Sequence, residues 1–240
     1  MPTPSLAKLK VKIFADGADK DAIVALARNP LVKGFTTNPT LMRKAGITDY
    51  EGFARDLVAA IPDYPISFEV FADEAPEMLS QARKIATWGG NVYVKIPVTN
   101  TKRETTSPVV RELTREGVKL NVTALMTADQ VREVCAALSG GAAACVSVFA
   151  GRVADTGRDP LPIMRESLDV IACHPGVELI WASPRELLNI FQADEIGTHI
   201  ITVTHDVLGK LGLVGKDLDD YSLDTVKMFA DDASKAGFEL

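Results

Sequence analysis

Lys95 sits in the middle of the apolar run Asn91-Val92-Tyr93-Val94-Lys95-Ile96-Pro97-Val98, whose alternating, β-branched residues read as a buried strand. A buried ammonium loses hydration, which disfavours its charged form, and a neutral amine is the nucleophile that Schiff-base formation needs. The ordinary alternative is a lysine that snorkels to the rim of a sheet or pairs with an acid. The two readings differ in what else must be near. A Schiff-base lysine needs a carboxylate to move protons, and a charged substrate needs cations to hold it.

Other residue types of that kind recur along the chain, each just after or near the end of an apolar run. They are Asp16 in Phe14-Ala15-Asp16-Gly17, the segment Thr36-Thr37-Asn38-Pro39-Thr40, Glu69 between Phe68 and Val70, and Asn121-Val122-Thr123-Ala124. Two more follow: Ser147-Val148-Phe149-Ala150-Gly151-Arg152 and Ala182-Ser183-Pro184-Arg185. Taken singly, each has a plain structural reading. Asn38 and Ser183 suit helix N-caps, Asp16 a turn, and Arg152 half of a surface ion pair.

The elements that would carry these residues alternate. Strands are expected at 11–15, 34–36, 66–71, 92–96, 119–122, 143–149, 178–181 and 200–203. Helices are expected at 20–28, 50–61, 75–88, 105–116, 127–138, 160–174, 184–192 and 204–211. Eight strands alternating with helices predict a (β/α)8 TIM barrel, with chemistry at the C-terminal strand ends. The polar residues above would then ring one mouth. A Gly- and Asp-rich stretch at 212–220 precedes an amphipathic helix at 221–236, an extra C-terminal helix that must cap the core or pack on another subunit. With no fixed-period repeat, low-complexity tract or linker, residues 1–240 read as one domain.

Composition sets further bounds. A chain of 240 residues, 47% hydrophobic and 24% charged, is long enough to bury one large core. Its formal charge of -6 argues against nucleic acid and anionic membranes as partners, so an anionic substrate needs a local basic cluster. No run approaches the ~20 apolar residues of a membrane span, residues 1–9 lack a leader pattern, and a cytoplasmic location is the default expectation. Cys135, Cys145 and Cys173 are odd in number and lack C-x-x-C spacing, as expected of reduced thiols in the core or on helix faces. His174, His199 and His205 lack metal-ligand spacing and read as helix-end or surface residues. The stretch 209–216 is no phosphate-binding loop, because its spacing is wrong and Asp217 follows where Ser or Thr is required.

Taken together, the six motifs from Phe14-Ala15-Asp16 to Ala182-Ser183-Pro184-Arg185, with Val94-Lys95-Ile96-Pro97 among them, resemble the transaldolase family. The resemblance is to its short branch, which also contains the fructose-6-phosphate aldolases, and it spans most of the chain. It implies a (β/α)8 barrel in which Lys95 forms a Schiff base with a ketose phosphate. It also implies that Asp16 accepts the proton of the C4 hydroxyl, and that Glu69 and Thr123 move protons through a water. Asn38, Asn121 and Ser147 resemble residues that hold the dihydroxyacetone unit, and Arg152, Ser183 and Arg185 resemble the phosphate site. The aldolases of the branch typically carry Gln and Tyr where this chain has Glu69 and Phe149, whereas transaldolases carry Glu and Phe.

Chemistry agrees with those roles. Cleavage between C3 and C4 leaves electrons on C3, which a protonated imine at C2 accepts better than a ketone does. Arginine forks, a hydroxyl and helix-start amides suit a sugar phosphate, and no metal or organic cofactor is needed. The expected reaction is dihydroxyacetone transfer from a ketose phosphate to an aldose phosphate, with sedoheptulose 7-phosphate and glyceraldehyde 3-phosphate the usual pair in the family. The alternatives are an aldolase releasing free dihydroxyacetone and a catalytically silent barrel that only binds sugar phosphates. The resemblance also implies a homo-oligomer, a pentamer or decamer, in which the last helix reaches a neighbour.

Overall fold

The computed structural model describes residues 5–238, so the first residues of the leader reading and the last two of the single-domain reading lie outside it. Eight strands close into one parallel barrel in sequential order. They are β1 (Lys12–Asp16), β2 (Val32–Thr36), β3 (Ile66–Glu69), β4 (Val92–Pro97), β5 (Leu120–Leu125), β6 (Ala144–Val148), β7 (Val177–Trp181) and β8 (Ile200–Thr204). Closure is sealed by the pairing of β1 with β8, from Lys12 opposite Ile200 to Asp16 opposite Thr204.

Alternation along each strand separates two cores. Outward residues such as Ile13, Phe35, Phe68, Val94, Ile96 and Val122 are buried under the surrounding helices in one large cluster. A smaller cluster of Phe14, Cys145, Ile180, Ala182 and Ile200, with Tyr93 and Phe149 packed on it, fills the barrel itself. Gly34 belongs to that packing. A Cβ there would stand 2.5 Å from the Phe14 ring, so a side chain on β2 would evict the aromatic plug.

The helices are α1 (Lys20–Leu26), α2 (Pro39–Lys44), α3 (Tyr50–Ala60), α4 (Ala75–Ala86), α5 (Ser107–Arg115) and α6 (Ala128–Leu138), followed by α7 (Ala150–Asp155), α8 (Leu161–Ile171), α9 (Leu188–Glu195), α10 (His205–Leu208) and α11 (Leu218–Ala236). Their starts follow local chemistry: Asp19, Asn38, Asp49 and Thr127 each accept a backbone N–H of the first turn, and Thr127 with Gln130 completes a capping box.

The expected pattern needs local corrections. The helix expected at 184–192 starts only at Leu188, because the Asn189 side chain takes the Arg185 and Glu186 amides and holds that stretch as a loop. The third strand stops at Glu69 rather than 71, since the Phe71 and Ala72 amides turn to Gln81 and leave the ladder. The short helices α2 and α7 stand where none was expected, and the helix expected at 204–211 is the single turn α10. The extra C-terminal helix is present as α11, and none of its residues is buried. Leu218, Tyr221, Leu223, Val226, Met228 and Phe229 on it are all exposed. Among the described residues no helix is long and apolar enough to cross a membrane.

Candidate active site

Parallel register sets the site. Glu69 on β3 pairs with Lys95 on β4, and Lys95 pairs with Asn121 on β5, so three inward side chains stand at one level. Lys95 is buried, at 6% exposure, and its Nζ lies 3.2 Å from a Glu69 carboxylate oxygen. The same ammonium donates to the Thr37 carbonyl at 3.0 Å. This lysine is thus buried in the barrel and also has an acid partner, a placement compatible with either reading.

Side-chain bonds across the barrel interior, two of them between non-neighbouring strands (Asn121 to Ser67, Thr36 to Thr202), show which side chains face inward. Asn121 donates to Ser67 Oγ at 3.0 Å, and Ser147 donates to Asn121 Oδ1 at 2.7 Å. Opposite them, Thr36 donates to Asp16 Oδ1 at 2.8 Å and stands 2.5 Å from the Thr202 hydroxyl. Burial raises the Asp16 carboxyl above the ordinary aspartate range, against the lowering effects of the Lys95 charge and the Thr36 hydroxyl.

Thr123 pairs with Pro97 in the ladder, and next to it Ala124 takes φ 65° while the register between β5 and β6 shifts. That bulge sits directly beside the site. Thr123 Oγ1 is buried and makes no hydrogen bond among the described residues. A hydroxyl left uncommitted in a polar cavity can hold a water or a substrate oxygen.

Of these groups, Asp16, Thr36, Glu69, Lys95, Thr123, Ser147 and Thr202 open into one cavity of about 580 Å³ at the C-terminal end of the barrel. Asp16, Asn38, Glu69, Lys95, Thr123, Ser147, Phe149, Arg152, Ser183 and Arg185 line it. Asn121 is wholly buried and is not part of the cavity wall; it reaches the cavity through Ser147, from which it accepts a hydrogen bond. Asn38 does serve as the N-cap of α2, accepting from the Leu41 amide at 3.0 Å, and it lines the cavity as well.

The basic side of the mouth is built by a close approach of α7 and the end of β7. A Cβ on Gly151 would stand 1.6 Å from the Ser183 carbonyl oxygen, so only glycine lets the two backbones meet. Ser183 itself takes φ 59°. Arg152 lies over the Phe149 ring, 5.7 Å from its centroid. Arg185 donates through Nε to Asp155 at 2.8 Å, with Nη2 on the second oxygen, and through Nη1 to Ser183 Oγ at 3.1 Å. The surface ion pair thus belongs to Arg185 rather than Arg152.

Thr36, from the segment expected at the mouth, also lines the cavity, and so do Thr202, Thr204 and Lys44, which were not among the expected site residues. The alternation Ile201-Thr202-Val203-Thr204 was the available signal on the eighth strand. His205 is exposed and opens α10, as expected of a helix-end residue, yet its ring lies over Gly17 at the mouth. His199 is half-buried, and its Nδ1 accepts from the Leu179 amide at 3.0 Å. The three thiols are free, two of them buried, and burial pushes Cys145 up to about 12, out of reach of nucleophilic chemistry near neutrality.

Comparison with known proteins gives the family. The model of the transaldolase/fructose-6-phosphate aldolase family matches residues 13–240. The chain belongs to that family. Among curated relatives, a "Probable transaldolase" of Dehalococcoides mccartyi is 37% identical over 82% of this chain and 88% of its own length. Another, of a Thermoanaerobacter species, is 34% identical over 96% of this chain and 100% of its own. A solved structure of KGPDC from Streptococcus mutans shares the barrel with TM-score 0.56 at 13% identity, covering 83% of this chain and 89% of that one. That last likeness is one of fold.

Proposed function

We propose that this family member is a transaldolase that moves a dihydroxyacetone unit from a ketose phosphate, such as sedoheptulose 7-phosphate, to an aldose phosphate, such as glyceraldehyde 3-phosphate. The observation that carries the proposal is the buried Lys95 ammonium 3.2 Å from Glu69 in a cavity that also presents Asp16.

In this reading Lys95 gives a proton to Glu69, and the freed amine attacks the C2 carbonyl. The carbinolamine loses water to give a protonated imine, with Glu69 returning the proton and Thr123 orienting the water. Asp16 then takes the C4 hydroxyl proton, the C3–C4 bond breaks, and its electrons pass through C2 to the imine nitrogen. The aldose leaves, and the neutral enamine attacks the carbonyl carbon of the acceptor by the reverse path. Asn38 and Ser147 hold the dihydroxyacetone hydroxyls, with Asn121 orienting Ser147 from behind, while Arg152, Ser183 and Arg185 hold the phosphate.

Glu69 and Phe149 favour transfer over release of free dihydroxyacetone. A phenyl ring has no proton to give the enamine, which then waits for an aldehyde. Borohydride reduction with a ketose phosphate should place a covalent adduct on Lys95, located by peptide mapping. An unmodified lysine would leave only a sugar-phosphate-binding barrel. Fructose 6-phosphate cleavage should depend on added acceptor aldehyde, and equal rates without one would make the chain an aldolase.

We also propose that α11 packs on a second copy of the chain within a pentameric or decameric ring, since its apolar residues are uncovered in the single chain. A monomer by light scattering would defeat this. A cytoplasmic location belongs to the same proposal, consistent with three free thiols.

A further inference from the structure

We propose that Thr202 is a positioning residue for the Asp16 carboxylate, the first donor of a hydrogen-bond relay that runs through the Thr36 hydroxyl. The inference rests on the transaldolase reading, in which Asp16 accepts the C4 hydroxyl proton.

In the barrel β1 lies between β8 and β2, and the relay bridges those two neighbours. Thr202 stands opposite Phe14 on one side of β1, Thr36 stands opposite Asp16 on the other, and their hydroxyl oxygens meet 2.5 Å apart. Both threonines are buried, so bulk water competes little for either. The order of donation follows from the acid end. An ionised carboxylate only accepts, so the single Thr36 proton goes to Asp16 Oδ1 at 2.8 Å, and the Thr202 proton must then fill the contact between the hydroxyls. From the ladder alone Thr204 would be the partner of choice, since it stands directly opposite Asp16. Its hydroxyl is instead engaged with Asp206, which leaves the task to Thr202.

Burial works against Asp16 as a base, because a carboxylate removed from water tends to keep its proton. A donor held at 2.8 Å offsets part of that cost by favouring the charged form, and a donor that itself accepts from a second hydroxyl is the more strongly polarised. The relay also fixes direction. With its oxygen occupied by the Thr202 proton, Thr36 keeps its own proton turned to Asp16. The other groups whose charge reaches Asp16 are the Lys95 ammonium from β4, the like charge of Glu69 from β3 and His205 from α10. Lys95 and Glu69 exchange protons as the imine forms and is hydrolysed, whereas the two hydroxyls stay neutral and present the same donor at every step.

The test is the pH profile of kcat/KM for transfer in Thr36→Val, Thr202→Val and Thr202→Ser, with borohydride trapping run alongside. Thr36→Val removes a charge-assisted bond and should move the acid limb to higher pH by about one unit or more. Thr202→Val, whose methyl cannot donate and leaves no room for a water that could, should move it the same way by about half a unit. Thr202→Ser restores the donor and should bring the limb back. In the double variant Thr36→Val/Thr202→Val the limb should lie where Thr36→Val alone puts it, because Thr202 acts only through Thr36. Throughout the Thr202 series the KM for the phosphate ester should stay unchanged, and the Lys95 adduct should still form. If Thr202→Val does not fold, Thr202→Cys, with a weak thiol donor, should give a smaller shift in the same direction. An unmoved limb in whichever of these two folds, or shifts that add in the double variant, would overturn the proposal. Absence of a Lys95 adduct in the unaltered protein would instead overturn the transaldolase reading, and this inference with it.

Discussion

Glu69 holds its carboxylate 3.2 Å from the Lys95 ammonium, and the two are ladder partners on adjacent strands. Register, rather than a flexible reach, thus fixes the pair. A lysine that must shed a proton before attacking a carbonyl has its acceptor already in place. Glu69→Gln keeps the shape but removes the acceptor, so kcat should fall about 100-fold or more, the usual scale of general acid–base effects. Single-turnover trapping should show the adduct forming slowly and still on Lys95. Removing the other partner, in Lys95→Ala, should abolish activity. It should also cost about 2–3 kcal/mol in urea unfolding, below the cost for a fully buried pair because Glu69 is partly solvated. An equal adduct rate in Glu69→Gln would deny the carboxylate its proposed task.

Asp16 carries a signed prediction. Its folded-state pKa is raised, mainly by burial. The native state therefore holds this proton over a pH range in which the unfolded chain has lost it. Stability from this group is full below the unfolded-state pKa, and it is lost as pH rises through the folded-state value. Asp16→Asn, which never ionises, should raise the melting temperature more at pH 8 than at pH 4. The same change should lower kcat/KM by about 100- to 10,000-fold by removing the base, while the Lys95 adduct accumulates uncleaved. A variant that is less stable at pH 8 than the unaltered protein would contradict the sign.

Much of this arrangement was legible in the sequence because a barrel makes strand ends special. Lys95, Glu69 and Thr123 sit inside period-2 apolar runs, where a polar residue has only the interior to face. What failed to show has physical causes. A six-residue helix such as α2 or α7 has under two turns, too few for an apolar face to repeat. Pro184 reads as a helix start, but the φ of 59° at Ser183 and the Asn189 bonds delay α9 by four residues. Ending the eighth strand at 203 put Thr204 at the start of a helix rather than at the cavity wall. The bracing of Arg185 by Asp155 depends on two elements 30 residues apart, and no spacing rule brings them together.

That brace has a kinetic consequence. Asp155 and Ser183 both bind the Arg185 guanidinium, so the fork is aimed before any phosphate arrives. Asp155→Asn should loosen the aim but also free the guanidinium charge. For a bidentate contact geometry should win, and KM for phosphorylated substrates should rise several-fold with kcat little changed. Arg152→Ala, which deletes a cation at the cavity wall, should raise the same KM about 10-fold or more. Initial rates with a phosphorylated and an unphosphorylated acceptor check both, since the unphosphorylated one should be insensitive to either change.

Gly151 provides the sharpest structural test, because the basic side of the mouth, the proposed phosphate site, is built where α7 and the end of β7 touch. An alanine methyl would overlap the Ser183 carbonyl oxygen at 1.6 Å, and the listener to that clash is backbone on both sides, with no flexible side chain to swing away. Relief requires moving the α7 start or the strand end, each tied by neighbouring bonds such as Gly151 N–H to the Ala182 carbonyl. Gly151→Ala should therefore cost about 3 kcal/mol, at the upper end of overpacking penalties, and lower the melting temperature by roughly 5–10 °C. Gly90→Ala is the matched control: no atom lies within 4 Å of its added methyl and its φ is not in the left-handed region. Its stability should change by less than about 0.5 kcal/mol. Equal melting temperatures for the two variants would mean that the α7–β7 approach is slack. A large loss confined to Gly151→Ala, with raised KM in whatever folds, would tie the proposed phosphate pocket to that single contact.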